Sequence, residues 1–377
     1  MSAVPRATQA ERERLLADFT RLCEIESPSG HERLVADAVS ADLREMGLQV
    51  DEDDTGRLTG SDAGNLFARV PGAGESSMLL CAHLDTVPLG GPVEVVRDDG
   101  VLRNRHEAVL GADNKAAVAT VLGAARRLAR EGGPTGVELL FTTVEEDGLR
   151  GAKAFDRSRL RSDMGFVFDH ASPVGELIVA APTYQRVEAR FRGLAAHAGI
   201  RPEGGRSAIA AAARFVSGLE LGRLDDETTT NAGRIRGGSA ANVVPEHCVV
   251  ELEARSIDHE RAGQVVAGMV DAATAAASDL DCDLETTVEE LFRGYRLRRT
   301  APPVEAATLA LESLGIEARP VATGGGSDAN ALIAAGLPTV NVANGTERSH
   351  QPDESVTVDA LETMLDVTLA IVEEAGR

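Results

Sequence analysis

The chain has 377 residues, of which 43% are hydrophobic and 26% are charged, and its formal net charge at pH 7 is −22. This length suggests two domains, or one large domain with an insertion. The negative charge argues against nucleic acid and anionic membranes as partners. No apolar run approaches the roughly 18 residues of a membrane span. The polar N-terminus lacks the apolar core of a signal peptide, so we expect a cytoplasmic protein.

The four cysteines are scattered along the chain, and most lie in apolar surroundings. This distribution is typical of reduced thiols in a core, and a disulfide framework is not expected. No two cysteines have the CxxC spacing, so a zinc site built on thiolates is not expected either.

Before residue 180, helices and strands are predicted to follow one another. The spacing of apolar residues predicts helices over 9–24, 31–46 and 115–131. Short apolar runs predict strands over 48–50, 65–70, 78–82, 137–143 and 165–168. A hairpin is predicted over 93–102, around Asp98-Asp99-Gly100.

The pattern changes at about residue 180, where a strand with alternating polar and apolar residues is predicted over 184–192. Three further strands (233–244, 248–257 and 282–289) and two helices (206–219 and 259–277) follow. Their order, strand-helix-strand-strand-helix-strand, is the split βαβ pattern of a small α+β module. We expect this module, 181–295, to be inserted between the two parts of an α/β domain, 1–180 and 296–377.

The α/β pattern returns after about residue 297. Helices are predicted over 303–314, up to about 335 and over 358–374, and a strand over 339–342. A loop before the last helix contains His350.

Three of the predicted apolar strands end in acidic residues or histidine. The residues that follow them are His83 and Asp85, then Glu145 and Glu146, then Asp169. In open α/β sheets, ligands bind outside the carboxyl ends of the strands. We therefore expect these side chains to lie in one crevice.

His83 and Asp85 are two residues apart, so their side chains point the same way if the chain is extended. A histidine that binds metal usually donates its other ring N–H to an acceptor such as a carboxylate. The pair is therefore predicted to be a metal ligand and the residue that orients it. The alternative is a polar strand end at the surface.

Five carboxylates in one crevice would shift each other's pKa values strongly, and two divalent cations would offset that repulsion. The candidate set is His83, Asp85, Asp113, Glu145, Glu146, Asp169 and His350. Histidine with carboxylate suits Zn²⁺, with Mn²⁺ or Co²⁺ as alternatives. Glu145 is not needed as a ligand, so it is the candidate general base. Three alternatives stay open: Asp113 as a helix N-cap, Glu145-Glu146 as a solvated pair and His170 as a ligand.

With these motifs in order, the chain resembles the M20 family of di-zinc metallopeptidases, and within it the peptidase T-like branch. The matching residues are Ala-His-Leu-Asp-Thr-Val-Pro at 82–88, Leu-Gly-Ala-Asp-Asn-Lys-Ala at 110–116, Glu145-Glu146, Asp169, 196–199 with 202–203, 242–246, 326–330, and His350 with Glu354. The resemblance covers nearly the whole chain. It implies a catalytic α/β domain, with a mixed, mostly parallel sheet flanked by helices, and an inserted ferredoxin-like domain that serves as a lid and dimerises.

The resemblance also implies roles for the matching residues. His83 and Asp169 would bind one zinc, Glu146 and His350 the other, and Asp113, followed by a cis peptide to Asn114, would bridge both. Asp85 would orient His83, and Glu145 would move a proton from the bridging water to the leaving amine. In the lid, His197, Asn242 and Arg255 would bind substrate, although a packing or turn role for His197 stays open.

The predicted function is hydrolysis of a peptide or amide bond in small peptides by a di-zinc-activated hydroxide, as in tripeptide aminopeptidases. The resemblance implies a homodimer that forms through the lid. Two alternatives are an N-acyl-amino-acid amidase of the same family and a metal-dependent binding protein that does not hydrolyse its ligand.

Overall fold

The computed structural model describes residues 6–74 and 76–376. Its α-helices, in chain order, are α1 (Gln9–Cys23), α2 (Arg33–Glu45), α3 (Thr55–Thr59), α4 (Ala112–Glu131), α5 (Arg150–Ala154), α6 (Ala208–Ser217), α7 (His259–Asp279), α8 (Pro302–Ser313), α9 (Asp328–Ala334) and α10 (Val358–Ala375). Within this part of the chain, no helix is both long enough and apolar enough to cross a membrane.

The strands are numbered in chain order. They are β1 (Val50–Glu52), β2 (Leu66–Val70), β3 (Ser77–His83), β4 (Val95–Asp98), β5 (Val101–Asn104), β6 (Gly136–Thr142), β7 (Met164–Val167), β8 (Glu176–Ala181), β9 (Thr183–Arg192), β10 (Gly222–Asp225), β11 (Thr228–Gly237), β12 (His247–Ser256), β13 (Asp283–Phe292), β14 (Tyr295–Arg296), β15 (Arg319–Ala322), β16 (Thr339–Val342), β17 (Thr346–Glu347) and β18 (Ser355–Thr357).

The chain divides into two compact units. The first contains the described residues up to Val179, then Leu297–Ala322, then the described residues from Ser327 onward. The second contains Ala180–Arg296 and Thr323–Gly326.

The first unit is built on a mixed sheet whose neighbours run β1-β2-β6-β3-β7-β16-β8. Its four central strands, β6, β3, β7 and β16, pair in parallel, and the outer pairs β1 with β2, β2 with β6 and β16 with β8 are antiparallel. Helices flank the sheet. This confirms the predicted α/β class with a mixed sheet. The parallel centre matters for function, because the carboxyl ends of β3, β6 and β7 meet at one edge.

Helix α4 is largely buried, and its sequence explains why. Its stretch 116–125 consists of small or apolar residues, including Ala116, Val118, Leu122 and Ala125, each 0% exposed. Small side chains allow a helix to pack close to a sheet on one side and to other helices on the other. Helix α1 packs against it and begins with a capping box formed by Thr8 and Glu11.

A separate four-stranded sheet in the first unit has the order β17-β18-β5-β4. The hairpin of β4 and β5 lies where it was predicted, and the two residues of its turn, Asp99 and Gly100, have positive φ angles of 45° and 79°. Two positive φ angles are typical of the type I′ turn that Asp-Gly favours.

The second unit is a five-stranded antiparallel sheet in the order β10-β11-β12-β9-β13. Without β10, this is the order of a split βαβ module. Helices α6 and α7 share a core with the sheet, and Val187, Phe191, Phe215, Val250 and Met269 lie in it. The opposite positions along β9, such as Arg190, are exposed, which explains the alternation in its sequence.

One predicted strand of this unit is wrong in its position. The residues predicted as a strand over 233–244 contribute only their first part to β11, which begins earlier at Thr228 and ends at Gly237. Residues 228–232 are rich in threonine, which favours strands. They directly follow an acidic turn, so the sequence does not show where the strand begins. The strands β8, β10, β14, β15, β17 and β18 are absent from the prediction. Most of them have only two to four residues, which is too short to show a period.

Candidate metal centre and active site

The structure gathers the side chains that follow β3, β6 and β7. These strands are neighbours in the parallel part of the sheet, with His83 opposite Thr142 and Cys81 opposite Val167. Each strand therefore ends at the same edge and delivers its next residues there. Asp113, at the start of α4, and His350, in the loop before β18, complete the cluster.

His83 is 1% exposed and has both ring nitrogens engaged. Its Nδ1 lies 2.9 Å from the backbone oxygen of Asp85 and 3.5 Å from Oδ1 of that residue. Its Nε2 lies 3.3 Å from Oδ1 of Asp113 and 3.6 Å from Oδ1 of Asp169. The backbone carbonyl of Asp85 thus accepts from Nδ1, and this tautomer leaves Nε2 to face the two carboxylates.

Asp85 lies beside His83, as predicted, and its carboxylate makes further contacts. Its carboxylate is 0% exposed and accepts hydrogen bonds from the backbone N–H of Glu145 at 2.9 Å and of Glu146 at 3.1 Å. The hydroxyl of Ser29 donates to the same carboxylate at 2.6 Å. Asp85 therefore ties the end of β3 to the turn after β6, and it orients His83 mainly through its carbonyl.

A second group of donors lies around His350. Its Nε2 is 2.8 Å from Oε1 of Glu146 and 3.3 Å from Oδ2 of Asp113. Asp113 offers its other carboxylate oxygen to His83, so it belongs to both groups. The alternative that Asp113 is a helix N-cap is disfavoured, because its two carboxylate oxygens face His83 and His350. The bond from Asp113 to Asn114 is cis, as the resemblance implied.

The acidic side chains respond to burial and to one another. Burial raises the pKa of Glu146 and of Asp169 above their ordinary values. Burial opposes ionisation of Asp113 as well, but hydrogen bonds from His350 and His83 outweigh it and lower its pKa. Hydrogen bonds to Asp113 and Glu146 raise the pKa of His350 to about 10. In the protein alone, protonated imidazoles offset part of the negative charge of these carboxylates, and a bound cation would take the place of those protons.

These donors fit a pair of divalent cations. Two of the groups with metal-binding spacing are His83, Asp113 and Asp169, and Asp113, Glu146 and His350. Each combines one imidazole nitrogen with two carboxylates, a donor set that suits Zn²⁺ and related ions. The shared Asp113 is suited to a two-metal site. His170 belongs to none of the groups found among the described residues, and its Nδ1 lies 2.8 Å from Oγ of Ser172.

Glu145 is 7% exposed and forms a third group with metal-binding spacing together with His83 and Glu146. Burial raises its pKa well above the ordinary value, and the charge of Asp169 adds to the effect. This contradicts the alternative of a solvated Glu145-Glu146 pair. A carboxylate with a raised pKa takes up a proton readily at neutral pH.

In the second unit, the structure brings His197 and Asn242 together. His197 pairs with Val243 in an isolated bridge, and the backbone oxygen of Asn242 accepts from the N–H of Ala198 at 3.0 Å. Both side chains are exposed. His197 therefore has no core packing role, but its Nδ1 accepts from the backbone N–H of Gly199 at 3.2 Å, so the alternative of a turn histidine stays open.

Arg255 lies near the other end of β12, about 26 Å along the strand from the end nearest Asn242 at about 3.3 Å per residue. Its guanidinium stacks 4.1 Å from the ring centre of Tyr184 and forms an ion pair with Glu253 at 3.2 Å. It also donates to the backbone oxygen of Gly324 at 3.2 Å. Arg255 is thus not grouped with the other two predicted substrate residues.

Two buried carboxylates support the cluster and were not assigned roles from the sequence. Glu354 accepts from the backbone N–H of Gly111 at 2.7 Å and of Asp113 at 2.9 Å. Glu32 accepts from the backbone N–H of Val144 at 3.0 Å. Glu354 could have been noticed because it recurs with His350 in the family pattern. Glu32 gives no local signal, because the amide it binds is 112 residues away.

Comparison with known proteins decides the family. The model of Peptidase family M20/M25/M40 matches residues 79–374.

The chain belongs to this family. It is therefore an enzyme, a metallopeptidase of the exopeptidase kind, and the peptidase T-like branch predicted from the motif order is confirmed. The chain is 37% identical over 366 residues to the uncharacterized protein YqjE of Bacillus subtilis, with 97% of this chain and 99% of that protein covered.

Two solved structures resemble this M20 peptidase over nearly its whole length. The aminopeptidase PepT from Bacillus cereus superposes with a TM-score of 0.89 at 36% identity, covering 97% of this chain and 99% of PepT. A tripeptidase from Staphylococcus aureus superposes with a TM-score of 0.92 at 32% identity, again covering 97% and 99%.

Proposed function

We propose that this M20 peptidase hydrolyses the peptide bond of small peptides, as a tripeptide aminopeptidase does, with Glu145 as the general base. The observation that carries the proposal is the shared carboxylate of Asp113 between two groups of ligands, with the buried Glu145 beside them. The proposal that the substrates are tripeptides is supported by the resemblance to PepT of Bacillus cereus and to the tripeptidase of Staphylococcus aureus.

His83 and Asp169 would hold one divalent ion, Glu146 and His350 the other, and Asp113 both. When bound, two such ions, preferably Zn²⁺ with Mn²⁺ or Co²⁺ as alternatives, polarise a carbonyl group and make a water molecule more acidic. The backbone carbonyl of Asp85 keeps His83 in the tautomer that a metal ligand needs.

Glu145 would accept a proton from the attacking water and deliver it to the nitrogen of the leaving amine as the C–N bond breaks. Uptake of the proton suits a carboxyl group whose pKa burial raises well above its ordinary value, because such a group is a stronger base than an exposed carboxylate. Asp85 would keep the Glu145 backbone in place during the reaction.

We also propose that His197 and Asn242 bind polar groups of the substrate and that Arg255 binds a carboxylate, for which its planar guanidinium is suited. The second unit would act as a lid and form a homodimer. A monomer at micromolar concentration in light scattering would contradict the dimer. A cytoplasmic location completes the proposal, because the four cysteines are unpaired, and fractionation of the producing cells tests it.

The proposal is tested by measuring the metal content of the purified protein together with its turnover of tripeptides, dipeptides and N-acyl amino acids. About two metal ions per chain and chelator-sensitive cleavage of tripeptides would support it. Cleavage of N-acyl amino acids alone would favour the amidase alternative. Two metal ions without turnover of any substrate would favour the binding protein. No metal after addition of zinc would overturn the assignment of the ligands.

The role of Glu145 is tested with Glu145→Gln, which keeps the shape of the side chain and removes its basicity. We expect kcat to fall by about 10² to 10⁴ while the metal content is unchanged. Asp147→Asn is the matched control, because Asp147 is an exposed acid two residues away that pairs with Arg150. Equal kcat values for the two variants would contradict the proposed role of Glu145.

A further inference from the structure

The turn at 143–146, which follows β6 and carries Glu145, has four successive backbone N–H groups bound by side chains. The acceptors for the amides of 143, 144, 145 and 146 are Asn65, Glu32 and, for the last two, Asp85. These three side chains come from segments that lie 60 to 112 residues away in sequence. The conformation of the turn is therefore stabilised by hydrogen bonds to distant segments of the chain.

Val144 is the strained residue of this turn. Its φ angle is +54°, and the residue is 2% exposed. A β-branched side chain strongly disfavours a positive φ, because its branched carbon collides with the backbone. Such a conformation persists only where the surroundings hold it, and it recurs at functional sites. At Val144 the side-chain acceptor for the amide is Oε1 of Glu32, at 3.0 Å.

The carboxylate of Glu32 is buried and held in place by several hydrogen bonds. It is 0% exposed, and each carboxylate oxygen has a donor of its own. Oε1 also accepts from the backbone N–H of Gly30 at 2.9 Å, and Oε2 accepts from the hydroxyl of Ser61 at 2.5 Å. None of the ion pairs found among the described residues includes Glu32. A buried carboxylate that is costly to desolvate is thus held by backbone and hydroxyl donors alone.

We propose that Glu32 is a positioning residue for Glu145. By binding the amide of Val144, Glu32 holds that residue in the left-handed conformation. This fixes the direction of the side chain of the next residue, Glu145. This inference rests on the proposed function of Glu145 as general base. A displacement of about 1 Å at a reacting group costs about a hundredfold in rate, so a weak contact one residue away has a large effect.

The first test compares Glu32→Met, which keeps the length of the side chain and removes both acceptors, with Glu138→Met. Glu138 is a control at the other end of β6: it is 1% exposed, accepts from the backbone N–H of Arg161 and of Ser162 and, unlike Glu32, pairs with Arg69. At saturating zinc, we expect Glu32→Met to lower kcat about 10-fold to 100-fold with KM little changed. We expect Glu138→Met to lose stability and keep kcat. Equal losses of kcat would overturn the proposal.

Two further variants separate positioning from a general loss of structure. Glu32→Gln retains an oxygen that can accept from Val144, so we expect kcat within about threefold of the parent. Val144→Gly removes the strain, because glycine adopts positive φ freely. We therefore expect Val144→Gly to restore part of the kcat lost in Glu32→Met. Strictly additive effects of the two substitutions would overturn the proposal. Glu32→Ala replaces Glu32→Met if the latter does not fold.

Hydrogen exchange of the Val144 amide supplies a readout that does not depend on turnover. We expect Glu32→Met to raise its exchange rate at least about tenfold, and Glu138→Met to leave it unchanged. An unchanged rate in Glu32→Met would overturn the proposal. If Glu145→Gln retained turnover, the proposed function would fail, while the exchange data would still decide whether Glu32 holds Val144.

Discussion

The carboxylate of Asp85 accepts a hydrogen bond from the backbone N–H of Glu145 at 2.9 Å, and both residues are buried. Asp85 follows β3 and Glu145 follows β6, two neighbouring parallel strands. One carboxylate therefore joins the strand that carries His83, a proposed metal ligand, to the turn that carries Glu145, the proposed general base. This contact helps to fix the end of β3 relative to the turn after β6.

Asp85→Asn should damage both stability and catalysis. The carboxylate of Asp85 accepts from two backbone N–H groups, and in the variant one of them would face the NH₂ group of asparagine. A buried donor left without a partner costs about 1–3 kcal/mol. We expect a loss of that size in the free energy of unfolding, together with a lower kcat. Urea denaturation and steady-state kinetics measure the two effects. Asp37→Asn is the control, because its side chain is 64% exposed, and we expect it to change neither.

Asp113→Ala should remove metal from both halves of the site, because its two oxygens face His83 and His350. His350→Ala should affect only the group around Glu146. We therefore expect fewer metal ions per chain in Asp113→Ala than in His350→Ala, as measured by elemental analysis after dialysis. Chelation of the parent protein should lower its melting temperature, because a bound ion stabilises the folded state. Equal metal contents in the two variants would contradict a bridging role.

Glu354→Gln should weaken metal binding without touching a ligand. Glu354 accepts from the amides of Gly111 and Asp113 and is 1% exposed, so it fixes the backbone of the shared ligand. Loss of such an outer contact typically costs about 10-fold to 100-fold in metal affinity. Competition with a zinc chelator measures the change. Glu347→Gln, an exposed acid in the same loop region, should leave affinity unchanged.

Lys115 should give the protein a pH-dependent stability in the alkaline range. Its ammonium is 1% exposed, and burial lowers its pKa from 10.5 to about 8. Because the unfolded chain holds this proton between pH 8 and 10.5 and the folded one does not, stability rises with pH across that window. Lys115→Met has no such group. We expect the free energy of unfolding of the parent to rise relative to Lys115→Met by up to about 3 kcal/mol between pH 8 and 10.5.

The comparison of Lys115→Met with the parent is made by urea denaturation at several pH values. Lys115 donates to the backbone oxygens of Leu22 and Ile25 and to the hydroxyl of Ser27. Its replacement therefore also lowers stability at every pH, and the prediction concerns the difference in slope. Parallel curves for the two proteins from pH 8 to 10.5 would contradict the lowered pKa.

Much of the fold could be predicted from local patterns. Helix α1 begins where the apolar spacing starts, and β16 has the predicted bounds of Thr339–Val342. The position of β11 could not be predicted, because its ends are fixed by pairing with β12 and a bulge between Ala232 and Arg234. A period in the sequence indicates an element, whereas its partner strand decides where it stops.

The sequence by itself determined which residue types meet at the sheet edge. His83, Glu145 and Asp169 directly follow apolar strands, and the order of the motifs determined the family. Only the tertiary structure decided how these residues are held. Asp85 binds amides of the turn after β6, and Glu32 binds an amide 112 residues away. A contact between distant segments leaves no period or motif in either of them, because it depends on the packing of the whole domain.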